Sequence, residues 1–298
     1  MKIGLSCAEL AMQYGYEKGL EIVKQSGFDA VDISLLEYIE KESVFDRSED
    51  EFYTHFSNIK KICDNLELEI SQTHGLTTIS VPDSEKTQMI KKQSELMLKA
   101  SAILGAPYIV FHNAKIINWE HLKKDGEFLL NENSRFFEDF LTPLCEKYNV
   151  SFAMETHGRI KNRNEIDFIG DVRNLKESYD RIKSDFKAIC LDTGHTNEIV
   201  AFGTPDVPES IRILGNSIKV LHLHDNEGNY DSHLPPLVLG KNNIDWHKTF
   251  DTLSEIGYDG VYNYELNLRR FGSSLCEITE FLGKFLRTFT ENKGRLIQ

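Results

Sequence analysis

Ala188-Ile189-Cys190-Leu191-Asp192-Thr193-Gly194-His195 is an apolar run that ends in a carboxylate, a small turn and an imidazole. Four consecutive apolar residues bounded by turn residues read as a buried strand, here Lys187–Leu191. The strand stops by presenting two potential metal ligands, Asp192 and His195, from its end. A single strand ending this way says little, but the pattern recurs along the chain.

Working outward, Lys2–Ser6, Phe28–Leu35, Glu67–Thr73, Pro107–Phe111, Val150–Met154, Ile218–Leu223 and Gly260–Tyr264 also read as strands. Helical patterns lie between them: Tyr16–Ser26 stopped by Gly27, Glu49–Asn65, a long helix N-capped by Asp83 and closed by Gly105, and about Asn133 to Tyr148. Later helices fall within Asp167–Ser184, over Pro208–Asn216, over Trp246–Ile256 capped by Asp245, and from Ser274 to about Glu291. Residues 114–130 read as an irregular insertion, and Phe281, Phe285 and Phe289 as core packing. Eight strand–helix units without a linker predict an α/β fold, a single (β/α)8 TIM barrel spanning 1–298, with its active site at the C-terminal ends of the strands. A doubly wound open sheet is the alternative, but Ser6-Cys7-Ala8-Glu9 is not the Gly-rich phosphate turn such a sheet carries after its first strand.

Seven of ten histidines, His74, His112, His157, His195, His222, His224 and His233, fall at or just after predicted strand ends. Only His55, His121 and His247 lie elsewhere, so the imidazoles gather at one mouth. Glu155, Asp192 and Glu265 end strands five, six and eight. Three carboxylates at one mouth repel each other unless a cation holds them together. Oxygen and nitrogen donors without thiolate suit Mn2+, Mg2+, Co2+ or Zn2+.

The 298 residues carry 34 Lys and Arg against 47 Asp and Glu, a formal charge of −13, which argues against nucleic acid as the main partner. Cys7, Cys63, Cys145, Cys190 and Cys276 are odd in number and far apart, the pattern of reduced cytoplasmic thiols. The N-terminus lacks the apolar stretch of a signal peptide, and no apolar run is long enough to span a bilayer.

These motifs carry a resemblance. Met154-Glu155-Thr156, Leu191–His195, Leu221-His222-Leu223-His224-Asp225-Asn226, Asp231-Ser232-His233 through Pro235-Pro236 to Ile244-Asp245-Trp246, and Gly257–Gly260 are similar to the xylose isomerase-like TIM-barrel superfamily, over essentially the whole chain. That superfamily includes sugar-phosphate isomerases and epimerases and endonuclease IV. The resemblance implies a metal tetrad of Glu155, Asp192, His222 and Glu265, with His224 the rival of His222, and Asp225 in its usual place after His222. It implies an isomerase or epimerase of a sugar, sugar phosphate or polyol, in which Glu155 and Glu265 exchange protons through a metal-stabilised enediolate. His195 then contacts substrate. Related barrels are often dimers or tetramers, so a homo-oligomer is implied.

In the endonuclease branch His195 joins Asp231 and His233 on a further zinc, and His74 and His112 share another with Glu155. All nine positions are filled here, so a zinc phosphodiesterase acting on abasic DNA is the second reading, and a metal-dependent dehydratase or lyase the third. In the sugar-type reading His74, His112, Asp231 and His233 line the substrate site. Arg159, Lys161, Arg163, Arg269 and Arg270 either bind a substrate anion or form solvated loop faces. Lys241, in Gly240-Lys241-Asn242-Asn243, stands where the family more often has a Gly-acid-Gly turn.

Overall fold

The computed structural model describes residues 1–40, 42–77, 79–81, 85–116, 126–160, 165–239 and 243–295. Asp83, His121, Lys161, Arg163 and Lys241 lie outside the described residues. The described strands, in chain order, are β1 (Ile3–Ser6), β2 (Ala30–Ser34), β3 (Glu69–His74), β4 (Ile79–Val81), β5 (Tyr108–Phe111), β6 (Ala114–Ile116), β7 (Ser151–Glu155), β8 (Lys187–Asp192), β9 (Ile218–His222) and β10 (Tyr262–Tyr264). The α-helices are α1 (Ala8–Gln25), α2 (Glu49–Asn65), α3 (Glu85–Leu104), α4 (Gly126–Arg135), α5 (Thr142–Tyr148), α6 (Val172–Arg181), α7 (Thr193–Ile199), α8 (Val207–Leu214), α9 (Trp246–Glu255) and α10 (Leu275–Glu291).

Eight strands form one sheet in the order β10-β1-β2-β3-β5-β7-β8-β9, and every neighbouring pair is parallel. The ring closes where Leu223 bridges Tyr264, with Leu223 N–H donating to Asn263 O at 2.8 Å and Glu265 N–H to Leu223 O at 3.3 Å. This is the (β/α)8 barrel, a parallel cylinder surrounded by helices.

Side chains alternate across each strand, and the alternation decides what the site contains. One set, including Ile109, Phe111, Phe152, Met154, Ile189, Leu191 and Leu221, joins the large core under the helices. Its polar members reach the helices too: Thr73 meets Ser101 of α3 at 2.7 Å, and Tyr264 meets Thr290 of α10 at 2.6 Å. The other set, Val110, Ala153, Ala188, Cys190 and Val220, is a small cluster of its own. These compact residues fill the narrow lumen. Two residues further along the same parity come Glu155, Asp192 and His222, so the lumen's own period carries them to the C-terminal mouth.

Several local expectations need correction. α1 begins at Ala8 rather than Tyr16, because the helix is interrupted at Gly15 (φ 75°) and Tyr16 opens only its second segment. Residues 114–130 are not wholly irregular: β6 pairs in parallel with β4, and α4 starts at Gly126. The helix expected from Asn133 to Tyr148 is α4, a π-turn over Phe136–Leu141, and α5. Phe289 is core, but Phe281 is 63% exposed and stacks on half-buried Phe285, so only part of that stripe packs inward. α7 was not anticipated at all. Its N-cap is Asp192, whose carboxylate accepts from His195 N–H at 2.6 Å, so the strand-end acid also starts a helix.

All five cysteines are free thiols; Cys7, Cys63, Cys145 and Cys190 are buried and Cys276 is exposed. Burial pushes the Cys63 thiol up to about 12, and the Cys145 thiol likewise up to about 12. The thiolate is the reactive form. A thiol reagent titrated against the native chain is therefore expected to modify Cys276 alone, and all five after denaturation. Rapid native reaction at a second position would contradict the burial.

Candidate metal centre

Six of the nine expected donors sit on or beside strand ends. His74 ends β3, His112 follows β5, Glu155 ends β7, Asp192 ends β8, His222 ends β9 and Glu265 follows β10. His195 stands on the first turn of α7, and Asp231 and His233 come from the loop after β9. That loop is pinned. Asp225 and Leu234 exchange backbone hydrogen bonds at 2.7 and 2.8 Å, and buried Asp225 accepts from Trp246 Nε1 at 3.1 Å. His233 takes a positive φ of 47°, and its carbonyl accepts from Asn267 N–H at 2.9 Å.

Among the described residues the donor atoms gather into five overlapping groups, each with one atom per residue within 4.8 Å of the others. Three of them cover the nine expected donors: Glu155, Asp192, His222 and Glu265; His74, His112 and Glu155; His195, Asp231 and His233. The other two, His74 with His222 and Glu265, and Glu155 with Cys190 and His222, overlap the first. In the first, His222 Nδ1 lies 3.0 Å from Glu155 Oε1, 3.1 Å from Glu265 Oε2 and 3.9 Å from Asp192 Oδ2. In the second, Glu155 Oε2 lies 2.9 Å from His112 Nε2 and 3.5 Å from His74 Nε2. In the third, Asp231 lies 3.4 Å from His195 Nε2 and 3.1 Å from His233 Nε2. Glu155 thus joins the first of these groups to the second, Oε1 facing His222 and Oε2 facing His112 and His74.

The imidazoles are oriented from behind. The Nδ1 atoms of His74, His195 and His233 contact the carbonyls of Gly75, Thr156 and Glu265 at 3.0, 3.0 and 2.9 Å. A carbonyl only accepts, so each Nδ1 carries the hydrogen, and each Nε2 faces one carboxylate, Glu155 for His74 and Asp231 for His195 and His233. Backing of this kind is what orients a metal-binding imidazole. The fit to a cation also shows in what the protein leaves unsatisfied. Buried Glu155 Oε2, His222 Nε2 and His112 Nδ1 make no well-formed hydrogen bond, although Glu155 Oε2 has an imidazole 2.9 Å away. Buried polar atoms are ordinarily satisfied, and carboxylate and imidazole donors converging in this way suit a divalent ion.

Electrostatics follow the same grouping. Burial alone would raise Glu155, but the His112 and His222 imidazoles outweigh it and hold the carboxyl well below its usual range. Burial likewise opposes charge on His74, yet Glu155 draws it up to about 9. His233 is carried to about 10 against its burial, chiefly by the hydrogen bond to Asp231.

The remaining candidates have other contacts. His224 Nε2 lies 2.9 and 3.0 Å from the two Asp192 oxygens, and its ring stacks on His233 at 3.9 Å. Of the two rivals, His222 is therefore the one beside Glu155 and Glu265. His157 Nε2 accepts from Asn113 N–H at 3.2 Å. Arg159 and Arg270 donate to loop carbonyls, Asn229 O at 3.3 Å and Ser232 O at 2.8 Å, and Arg269 faces Glu9 at 3.4 Å. Gly194 makes room for the His224 ring: a Cβ there would lie 1.9 Å from His224 Cε1. Gly194→Ala is expected to push His224 off Asp192 and to destabilise the fold by about 1–3 kcal/mol. A denaturant midpoint equal to that of the unaltered chain would contradict this.

Sequence reading missed Asp32. It is fully buried on β2, and burial pushes it up to about 6 against the pull of His222 and His74. Its signal was parity: in Ala30-Val31-Asp32-Ile33-Ser34, Val31 and Ile33 belong to the core under the helices, which leaves Asp32 facing the lumen.

The uncharacterized protein y4fM of Sinorhizobium fredii is 28% identical over 185 residues, 62% of this chain and 53% of y4fM. The chain spans about half the length of the curated relatives it matches. A D-psicose 3-epimerase crystallised in the presence of D-fructose superposes with a TM-score of 0.72 at 16% identity, covering 99% of this chain and 100% of the other. The IOLI protein with a bound zinc atom superposes with a TM-score of 0.67 at 19% identity, covering 99% and 98%. None of the described helices is long and apolar enough to cross a membrane. The xylose isomerase-like TIM barrel family matches residues 20–281, and the chain belongs to it.

Proposed function

We propose that this chain is a divalent-metal-dependent isomerase or epimerase of a keto-sugar, sugar phosphate or related polyol. The observation that carries the reading is the convergence of Glu155 and Glu265 on one atom, His222 Nδ1, at 3.0 and 3.1 Å from strand ends three positions apart around the barrel. A cation held by Glu155, Asp192, His222 and Glu265 would polarise a substrate carbonyl and acidify the neighbouring C–H. Glu155, 1% exposed, sits deep, and Glu265, 22% exposed, faces the opening. One of the two carboxylates removes the proton beside the carbonyl and the other returns one. Asp192 and His222 serve mainly as ligands, and His195 orients a substrate oxygen. The sugar-epimerising structural neighbour supports the substrate class, and the zinc-bound one supports the metal.

The test is proton exchange. Keto-pentoses and keto-hexoses, free and phosphorylated, are incubated in deuterated water with the metal-loaded protein. Deuterium is expected at the carbon beside the carbonyl, with epimer or isomer formed. A screen showing neither would remove the reading.

One observation favours a second reading, phosphoester hydrolysis: Glu155 joins the tetrad to the His74–His112 pair, and His195, Asp231 and His233 form a third group beside it. Cleavage of an abasic duplex is its direct assay. The charge of −13 and the arginines turned to loop carbonyls favour a small sugar.

A further inference from the structure

Among the imidazoles of the centre, His222 is turned the other way. His74, His195 and His233 give Nδ1 to a carbonyl and present Nε2, whereas His222 presents Nδ1 to Glu155 and Glu265 and sends Nε2 down into the lumen. A ring nitrogen that donates a lone pair to an ion obliges the other nitrogen to carry the hydrogen. For His222 that N–H is Nε2, in a fully buried position. It has no well-formed hydrogen bond; the carboxylate it faces is Asp32 Oδ2 at 3.6 Å, and the buried Cys190 thiol also lies beside the ring.

Asp32 mirrors this condition. It is fully buried at the inward position of β2, and its Oδ1 has no hydrogen-bond partner. Gln72 of β3 donates to Asp32 Oδ2 at 3.4 Å and so turns the carboxylate. Burying a carboxylate is costly unless its charge is used. Two buried groups with unmet and opposite capacity face each other across a gap slightly longer than a hydrogen bond.

We infer that Asp32 is the positioning residue for His222: its carboxylate takes the Nε2 hydrogen, fixes the tautomer and aims Nδ1 at the tetrad. The inference rests on reading that tetrad as the metal centre. Carboxylate–imidazole–metal series of this kind orient the ring, and losing the outer carboxylate typically weakens metal binding about 10- to 100-fold. Asp32 touches no substrate in this scheme and acts through His222 alone.

The experiment uses metal-free full-length protein titrated with Zn2+ against a competing chromophoric chelator, and needs no substrate. His222→Leu identifies the tetrad ion as the one it weakens. Asp32→Leu is expected to weaken that same ion about 10- to 100-fold. Asp32→Asn, whose amide oxygen still accepts, is expected to lose less. Nitrogen-15 spectra of the imidazoles supply a readout that a packing role would not move: Nε2–H at His222 in the unaltered chain, and a growing Nδ1–H fraction in Asp32→Leu. Wild-type Zn2+ affinity in folded Asp32→Leu, with His222→Leu weakened, overturns the role of Asp32 alone. Wild-type affinity in His222→Leu as well overturns the tetrad itself. If Asp32→Leu does not fold, Asp32→Ala, which also lacks the acceptor, decides: unchanged affinity with an unchanged His222 spectrum overturns the inference.

Discussion

Glu155→Gln is expected to lower turnover of the keto-sugar, and the accompanying deuterium exchange, by about 100- to 10,000-fold, the span that a positioned acid or base contributes. The substitution keeps the volume of a fully buried side chain and removes two functions together. The amide cannot take a proton from carbon, and its nitrogen end cannot face an imidazole as a carboxylate oxygen does. Both Glu155 oxygens are engaged, Oε1 with His222 at 3.0 Å and Oε2 with His112 at 2.9 Å, so either orientation of the substituted amide mismatches one partner. Glu265→Gln is expected to show a comparable loss in turnover. Its oxygen lies 3.1 Å from the same His222 Nδ1, but its side chain is 22% exposed, so its effect falls more on proton transfer and less on folding. Chelation of the metal should abolish activity in the unaltered chain, and re-addition should restore it. Full activity in either variant would sink the assignment of these two carboxylates.

Much of this arrangement was legible because strand ends carry chemistry that their interiors cannot. Glu155, Asp192 and His222 each follow an apolar run directly, and in a parallel barrel those ends meet. His112 follows an apolar run in the same way, and His74 ends a strand of more polar residues. Other features depended on contacts that sequence order hides. α7 went unread because an acid at a strand end reads as a ligand, while the second role of Asp192 as a cap appears when His195 N–H lies 2.6 Å from its carboxylate. β4 and β6 are three residues each and far apart in the chain, so neither signals a strand until it finds the other. Asp32 lay inside an apolar run, where a single acid reads as a surface position. Its inward direction emerges from the register that sets β2 beside β3 and from the burial of Val31 and Ile33 on the opposite face.

Metal stoichiometry is expected to separate the two readings of the centre. After exhaustive dialysis and reloading, the chain is expected to retain one tightly held ion, held more weakly in Glu265→Gln and unchanged in Asp231→Asn. The tetrad offers four donors, with Glu155, Asp192 and His222 fully enclosed, whereas Asp231 is 41% exposed and His233 is 21% exposed. A more enclosed set of donors holds its ion against water more strongly. Charge points the same way. One dication among Glu155, Asp192, Glu265 and Asp231 leaves two negative charges, a surrounding that favours a neutral polyol over a phosphodiester. Three dications among Glu155, Asp192, Glu265 and Asp231 would leave two positive charges and call for an anionic substrate. Metal analysis of the unaltered chain and of Asp231→Asn therefore measures the sign of the site as well as its occupancy. Three equally tight zinc ions, one of them lost in Asp231→Asn and another in His74→Asn, would give the centre to phosphoester hydrolysis.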